Sequence, residues 1–142
     1  MNLRLLIFLP LLSFSSCKNE NPRADIPFRF VREEINLGSI QNQALWNVGG
    51  HIYIENAGYK GIIVIHKSTD IYVAFERACT YDPKESCALV EMDDSQLFLI
   101  DHCCKSTFNF DGIPTGGAAS IPLVEYRTFR DGNSNFLVIS NE

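Results

Sequence analysis

The chain has 142 residues, 46% of them hydrophobic, and a formal net charge of −5. With no run of lysines or arginines, that balance excludes a phosphate-binding nucleic-acid face, which needs clustered positive charge. The acidic residues are scattered and read as a solvated surface.

Residues 1–16 read as a secretion signal. Arg4 supplies the positive charge near the start. Leu5 to Leu12 form a short apolar run broken only by Pro10, and Ser13, Ser15 and Ser16 place small residues before Cys17. Such a run is too short to span a bilayer stably and has the flanks of a cleavable signal. Later segments are not apolar for long enough to be membrane helices. Ser13-Phe14-Ser15-Ser16-Cys17 resembles a bacterial lipobox, with Phe14 where that motif usually has Leu. The resemblance implies cleavage before Cys17 and acylation of that residue. The protein would then be held on a membrane outside the cytoplasm, facing the periplasm or the cell surface. Buried acyl methylenes contribute about 0.8 kcal/mol each, so two chains give stable anchoring. The alternative is an ordinary signal cut near Ser16 with Cys17 free. Loss of Arg4 takes the charge from −5 to −5 − 1 = −6. Residues 17–26 follow as the acylated cysteine and a polar tether, Lys18 to Pro22. Residues 27–142 form one domain, a usual size for a single core.

Within that domain, short strand-like runs alternate with turn residues. Phe28 to Arg32 and Ile35 to Leu37 come first. His51 to Glu55 alternates with period two, and within Gly61 to His66 the four residues Ile62 to Ile65 are all β-branched. Tyr72 to Glu76, Gln96 to Ile100 and Phe136 to Ile139 are similar. Asn56-Ala57-Gly58, Asp93-Asp94-Ser95 and Asp131-Gly132-Asn133 supply turn chemistry between them. Many short β-rich runs at near-regular spacing predict an all-β antiparallel sandwich or barrel. Helical periodicity is absent.

Two segments break this rhythm. One is Arg77 to Cys87; the other runs from Asp101 to Ser106 and on through a glycine-rich stretch to Ser120. With Cys17 assigned to lipid, the other four cysteines, Cys79, Cys87, Cys103 and Cys104, all lie in or beside these loops. An exported protein meets an oxidising compartment, so disulfides are expected, and four cysteines allow three connectivities.

Asp101-His102-Cys103-Cys104-Lys105-Ser106-Thr107-Phe108 is similar to the second cluster-binding loop of Rieske proteins, usually Cys-Pro-x-His-Gly-Ser-x-Phe. Phe110-Asp111-Gly112 and Gly116-Gly117-Ala118-Ala119-Ser120-Ile121-Pro122-Leu123-Val124-Glu125-Tyr126 resemble the tail of that family, and Cys79-Thr80-Tyr81 resembles its first loop, usually Cys-Thr-His. The resemblance spans roughly residues 28–142 and implies a Rieske-like β domain with two cysteine-bearing loops.

A Rieske cluster is a [2Fe–2S] centre with two Cys on one iron and two His on the other. Carried over one at a time, Cys79 matches the first Cys, Tyr81 stands at the first His, Asp101 at the second Cys and Cys104 at the second His. One of four ligands is kept in type and place. Tyrosine near its normal pKa is protonated at neutral pH and ligates poorly, and Asp is a hard ligand ill-suited to a sulfide cluster. The expectation is therefore a domain without a cofactor or metal, the alternative being an electron carrier holding a [2Fe–2S] cluster through unusual ligands.

The resemblance also implies a disulfide clamp between the loops, with Cys103 at one of its positions and Cys87 as the natural partner. Cys79 and Cys104 would then face each other across the vacated cluster site, within bonding reach. The expected pairs are Cys87–Cys103 and Cys79–Cys104, with Cys79–Cys103 and Cys87–Cys104 as rivals; a vicinal Cys103–Cys104 bond would be strained. A mononuclear metal held by these cysteines and His102 lacks the usual Cys-x2–4-Cys knuckle.

His51 and His66 read as surface or hydrogen-bonded strand residues, His102 as loop surface, and Trp46 as packing on a sheet edge. Asp82 and Glu85 lie near Cys79 in sequence only. There is no Ser–His–Asp spacing, Walker loop or dinucleotide turn, so no enzyme is expected. A thiol–disulfide role lacks a Cys-x-x-Cys pair. The expected function is a lipid-anchored envelope protein using a disulfide-stapled scaffold for binding or structural work, its partners being the membrane, through the anchor, and an unidentified envelope protein.

Overall fold

The computed structural model describes residues 25–132 and 134–142 of the chain. The expected signal, the expected lipidation at Cys17 and most of the expected tether lie outside the described residues. The fold is all-β and antiparallel, in two sheets. Among the described residues ten strands run in chain order: β1 (Arg32–Asn36), β2 (His51–Ile54), β3 (Ile62–Ser68), β4 (Ile71–Glu76), β5 (Val90–Met92), β6 (Leu99–Asp101), β7 (Ser106–Phe108), β8 (Pro114–Gly116), β9 (Glu125–Arg130) and β10 (Phe136–Ser140). Six form a half-barrel in the order β1-β10-β9-β4-β3-β2, and four form a small sheet in the order β5-β6-β7-β8. The small sheet is an excursion of the chain between β4 and β9, which are themselves paired neighbours. All four cysteines of the two loops fall on this excursion.

The run from Gly61 to His66 explains how the sheets join. A strand with one dry face alternates, whereas one covered on both faces reads as continuous apolar sequence. On β3, Ile62 and Val64 enter the core of the half-barrel with Leu45, Tyr126, Leu137 and Ile139. Ile63 and Ile65 point the other way, into a second core with Phe75, Val90, Leu99 and Phe108. β4 repeats the division, with Tyr72 and Ala74 on one side and Val73 and Phe75 on the other. These two strands are the common wall of both cores. Fully burying each aliphatic side chain there contributes roughly 1.5–3 kcal/mol.

Several local expectations shift. Phe28 and Phe30 precede the first strand and are 77% and 63% exposed; β1 starts only where β10 offers partners, Arg32 opposite Ser140. Gln96 adopts φ 59° in a turn, leaving β6 to begin at Leu99. A 3₁₀ helix over Ile40–Trp46 was not legible because only Leu45 of its seven residues is buried. Trp46, expected on a sheet edge, ends this helix, and its indole N–H donates to the Leu37 carbonyl at 2.6 Å. His66 is not a surface residue: its ring is buried, stacked on Tyr72 with centroids 4.5 Å apart, and neither ring nitrogen has a hydrogen-bond partner among the described residues. His51 lies edge-on to Tyr53. Partial burial lowers its pKa.

Candidate functional site

The two irregular loops meet at one end of the small sheet. The first follows β4 and the second joins β6 to β7. Cys87 and Cys103 are bonded, with Cα atoms 5.5 Å apart, and tie the loops together at the surface. The tail closes in behind them. The Thr80 hydroxyl donates to the Ile121 carbonyl at 2.6 Å, and the Ala119 N–H donates to Ser106 Oγ at 2.9 Å. Gly117 makes this approach feasible: its φ is +83°, and a Cβ there would stand 2.3 Å from the Lys105 carbonyl oxygen. That close backbone contact is the physical use of the glycine-rich stretch.

Beneath the disulfide lie Cys79, Asp101 and Cys104, with one ligand atom from each within 4.8 Å of the others. Cys79 and Asp101 are fully buried, and Cys104 is half-buried. Asp101 ends β6, and its two oxygens divide between the Cys103 N–H at 2.7 Å and the Cys104 S–H at 3.2 Å. Ser106 Oγ stands 2.9 Å from Cys104 Sγ. Because Ser106 Oγ accepts from Ala119 and Cys104 donates to Asp101, the serine hydroxyl is the donor to the sulfur. Burial first, then the Asp101 side chain, pushes the Cys79 thiol well above its ordinary range. A thiol so held is protonated at neutral pH and a weak nucleophile.

Of the four positions that the resemblance assigned to cluster ligands, three converge and one does not: Tyr81 is 59% exposed. In that resemblance Cys79 and Cys104 stand at ligands of different irons, which would flank the whole two-iron rhomb. Their sulfurs are 3.4 Å apart, too close to admit it, so the residues as placed do not fit a Rieske-type [2Fe–2S] centre. They face each other as expected, but as free thiols and not as a second disulfide. Asp82 and Glu85 are exposed, and the Glu85 carbonyl accepts from Lys60 Nζ. His102 is exposed on the second loop.

Sequence reasoning missed two buried ionic residues nearby. Glu76 accepts hydrogen bonds from Tyr59 N–H at 2.6 Å, Lys60 N–H at 2.8 Å, Ala78 N–H at 3.1 Å and the Tyr126 hydroxyl at 2.8 Å. Arg77 bridges the two sheets. Nothing local marks either, since most of their partners lie far along the chain. No helix of the described residues is long and apolar enough to cross a membrane. The chain matches no protein-family model, and no curated protein matches it.

Proposed function

We propose that this chain is a lipid-anchored protein of the cell envelope whose Rieske-like domain carries no [2Fe–2S] cluster and works as a disulfide-stapled scaffold for a protein partner. The anchor rests on the lipobox-like run ending at Cys17. The single observation that carries the rest is the pair of sulfurs at the cluster position. Cys79 and Cys104 approach to 3.4 Å where two irons would have to lie between them. The clamp supports the same reading. A bond between Cys87 and Cys103 closes a loop of 16 residues in sequence separation, which stabilises by about 3 kcal/mol without any help from a cluster. The buried, protonated Cys79 thiol also argues against a thiol–disulfide catalyst.

An absorbance spectrum with iron and sulfide assays of protein purified under native conditions tests this. The expected result is a colourless protein without acid-labile sulfide. A visible charge-transfer band with about two irons and two sulfides per chain would show instead an electron carrier of the Rieske type.

A further inference from the structure

Asp101 is a buried carboxyl group with no cationic partner among the described residues. Its side chain is fully buried, and among the described residues no lysine, arginine or histidine forms an ion pair with it. Glu76, buried to the same degree, receives four hydrogen bonds, three of them from backbone N–H groups. Asp101 receives one from the backbone and one from a thiol, a weak donor. A buried carboxyl group with so few donors is normally paired or bound to a metal.

The groups around it supply what a metal needs. Cys79 Sγ and Cys104 Sγ lie 3.4 Å apart beside the carboxylate. Tetrahedral coordination with metal–sulfur bonds of about 2.3 Å puts two sulfurs about 3.8 Å apart, so a small opening of the pair suffices. The disulfide removes the usual objection to adjacent cysteines. It draws Cys103 toward Cys87 and leaves Cys104 alone to face Cys79. The Ser106 hydroxyl, 2.9 Å from Cys104 Sγ, is placed to donate to a thiolate there and to orient it.

We propose that Cys79, Cys104 and Asp101 bind one thiophilic divalent cation, zinc or a chemical equivalent. This rests on the reading above that no [2Fe–2S] cluster occupies the same position. Two thiolates and a carboxylate carry −3, so a divalent ion leaves −1 to be buried where a monovalent one would leave −2. That favours zinc over cuprous copper, although thiolate suits both. Binding breaks two S–H bonds and forms two metal–sulfur bonds, and the two protons leave to solvent. The carboxylate supplies the third bond, and water completes the tetrahedron.

The test is a cobalt(II) titration of the full chain, purified in detergent under argon without reductant and followed by absorbance. The expected result is a thiolate-to-cobalt charge-transfer band that saturates at one ion per chain and is erased by zinc. Cys104→Ser should abolish the band. Asp101→Asn, which keeps both sulfurs, should weaken binding about tenfold or more. Should either variant misfold by circular dichroism, the unmodified chain still decides: zinc should protect the half-buried Cys104 from alkylation, as mapped by mass spectrometry. Absence of the band at saturating cobalt overturns the proposal, as does a Cys79–Cys104 disulfide in protein isolated from cells. Both results leave the scaffold reading intact. Bound iron with acid-labile sulfide overturns the proposal and that reading together.

Discussion

Glu76 and Tyr126 show how much one buried charge depends on distant residues. The Tyr126 hydroxyl donates to Glu76 at 2.8 Å from fifty positions along the chain. Burial first, then the hydrogen bond to Glu76 and its negative charge, push the phenol well above its ordinary value of 10.0. The folded protein therefore keeps a proton that the unfolded chain releases above about pH 10. Stability is whole below that pH and falls as pH rises past it, by about 1.4 kcal/mol for each unit. In Tyr126→Phe this contribution vanishes. Urea unfolding between pH 9 and 11 should show a shallower alkaline loss than the unmodified protein. At neutral pH the same variant should be less stable by about 1–3 kcal/mol, because Glu76 loses a buried donor. An unchanged alkaline slope would mean that Tyr126 does not titrate abnormally.

Between elements, the decisive contact is Arg77, just past the end of β4. Its guanidinium forks onto Glu55 at 2.9 and 3.1 Å, reaches Glu91 at 3.2 Å and the Val90 carbonyl at 3.1 Å, and stacks over the Tyr53 ring at 4.2 Å. Tyr53 in turn accepts the Met92 N–H at 3.0 Å. These groups belong to β2 and its following turn on one sheet and to β5 on the other, so one side chain couples the half-barrel to the small sheet. Arg77→Ala should lower stability by about 2–3 kcal/mol, the value of charge-assisted bonds and buried stem lost while both glutamates regain water. Arg77→Lys should recover only part, lacking the planar fork. Thermal unfolding would check both. The disulfide belongs to this scale as well. Replacing Cys87 and Cys103 together by Ser should lower stability by about 3 kcal/mol and leave the half-barrel assembled. Hydrogen exchange should then rise in β5 to β8 before β1 to β4.

For the whole molecule, the proposed anchor sets the working geometry. A tether of about ten residues would keep the domain close to its membrane, with an acidic surface that disfavours an anionic one. Cys17→Ser should move the protein from the detergent phase to the aqueous phase in a cloud-point partition and abolish labelling by radioactive palmitate. A variant that remained in the detergent phase would remove the anchor from the proposal. Residues 1–24 lie outside the described residues, so this prediction draws on the sequence alone.

Fold class was legible because strand alternation and turn chemistry are local signals. His51 to Ile54, Tyr72 to Glu76 and Phe136 to Ile139 were recognisable for that reason. The β-branched run at Gly61 to His66 also revealed a strand, though not that both its faces would be covered. The pairing of Cys87 with Cys103 came from resemblance in the loops, and the structure has that bond. What tertiary structure alone decided is where charge is buried and that Cys79 meets Cys104 as a pair of free thiols. Glu76 and Arg77 look like ordinary polar residues in sequence, and Asp101 stands out only through the loop resemblance. Each is sheltered because strands distant in the chain close over it. The same folding sets Cys79 against Cys104 at 3.4 Å while turning Tyr81 to solvent. Spacing along the chain cannot encode that distance, since two separate loops must first be fixed on the small sheet.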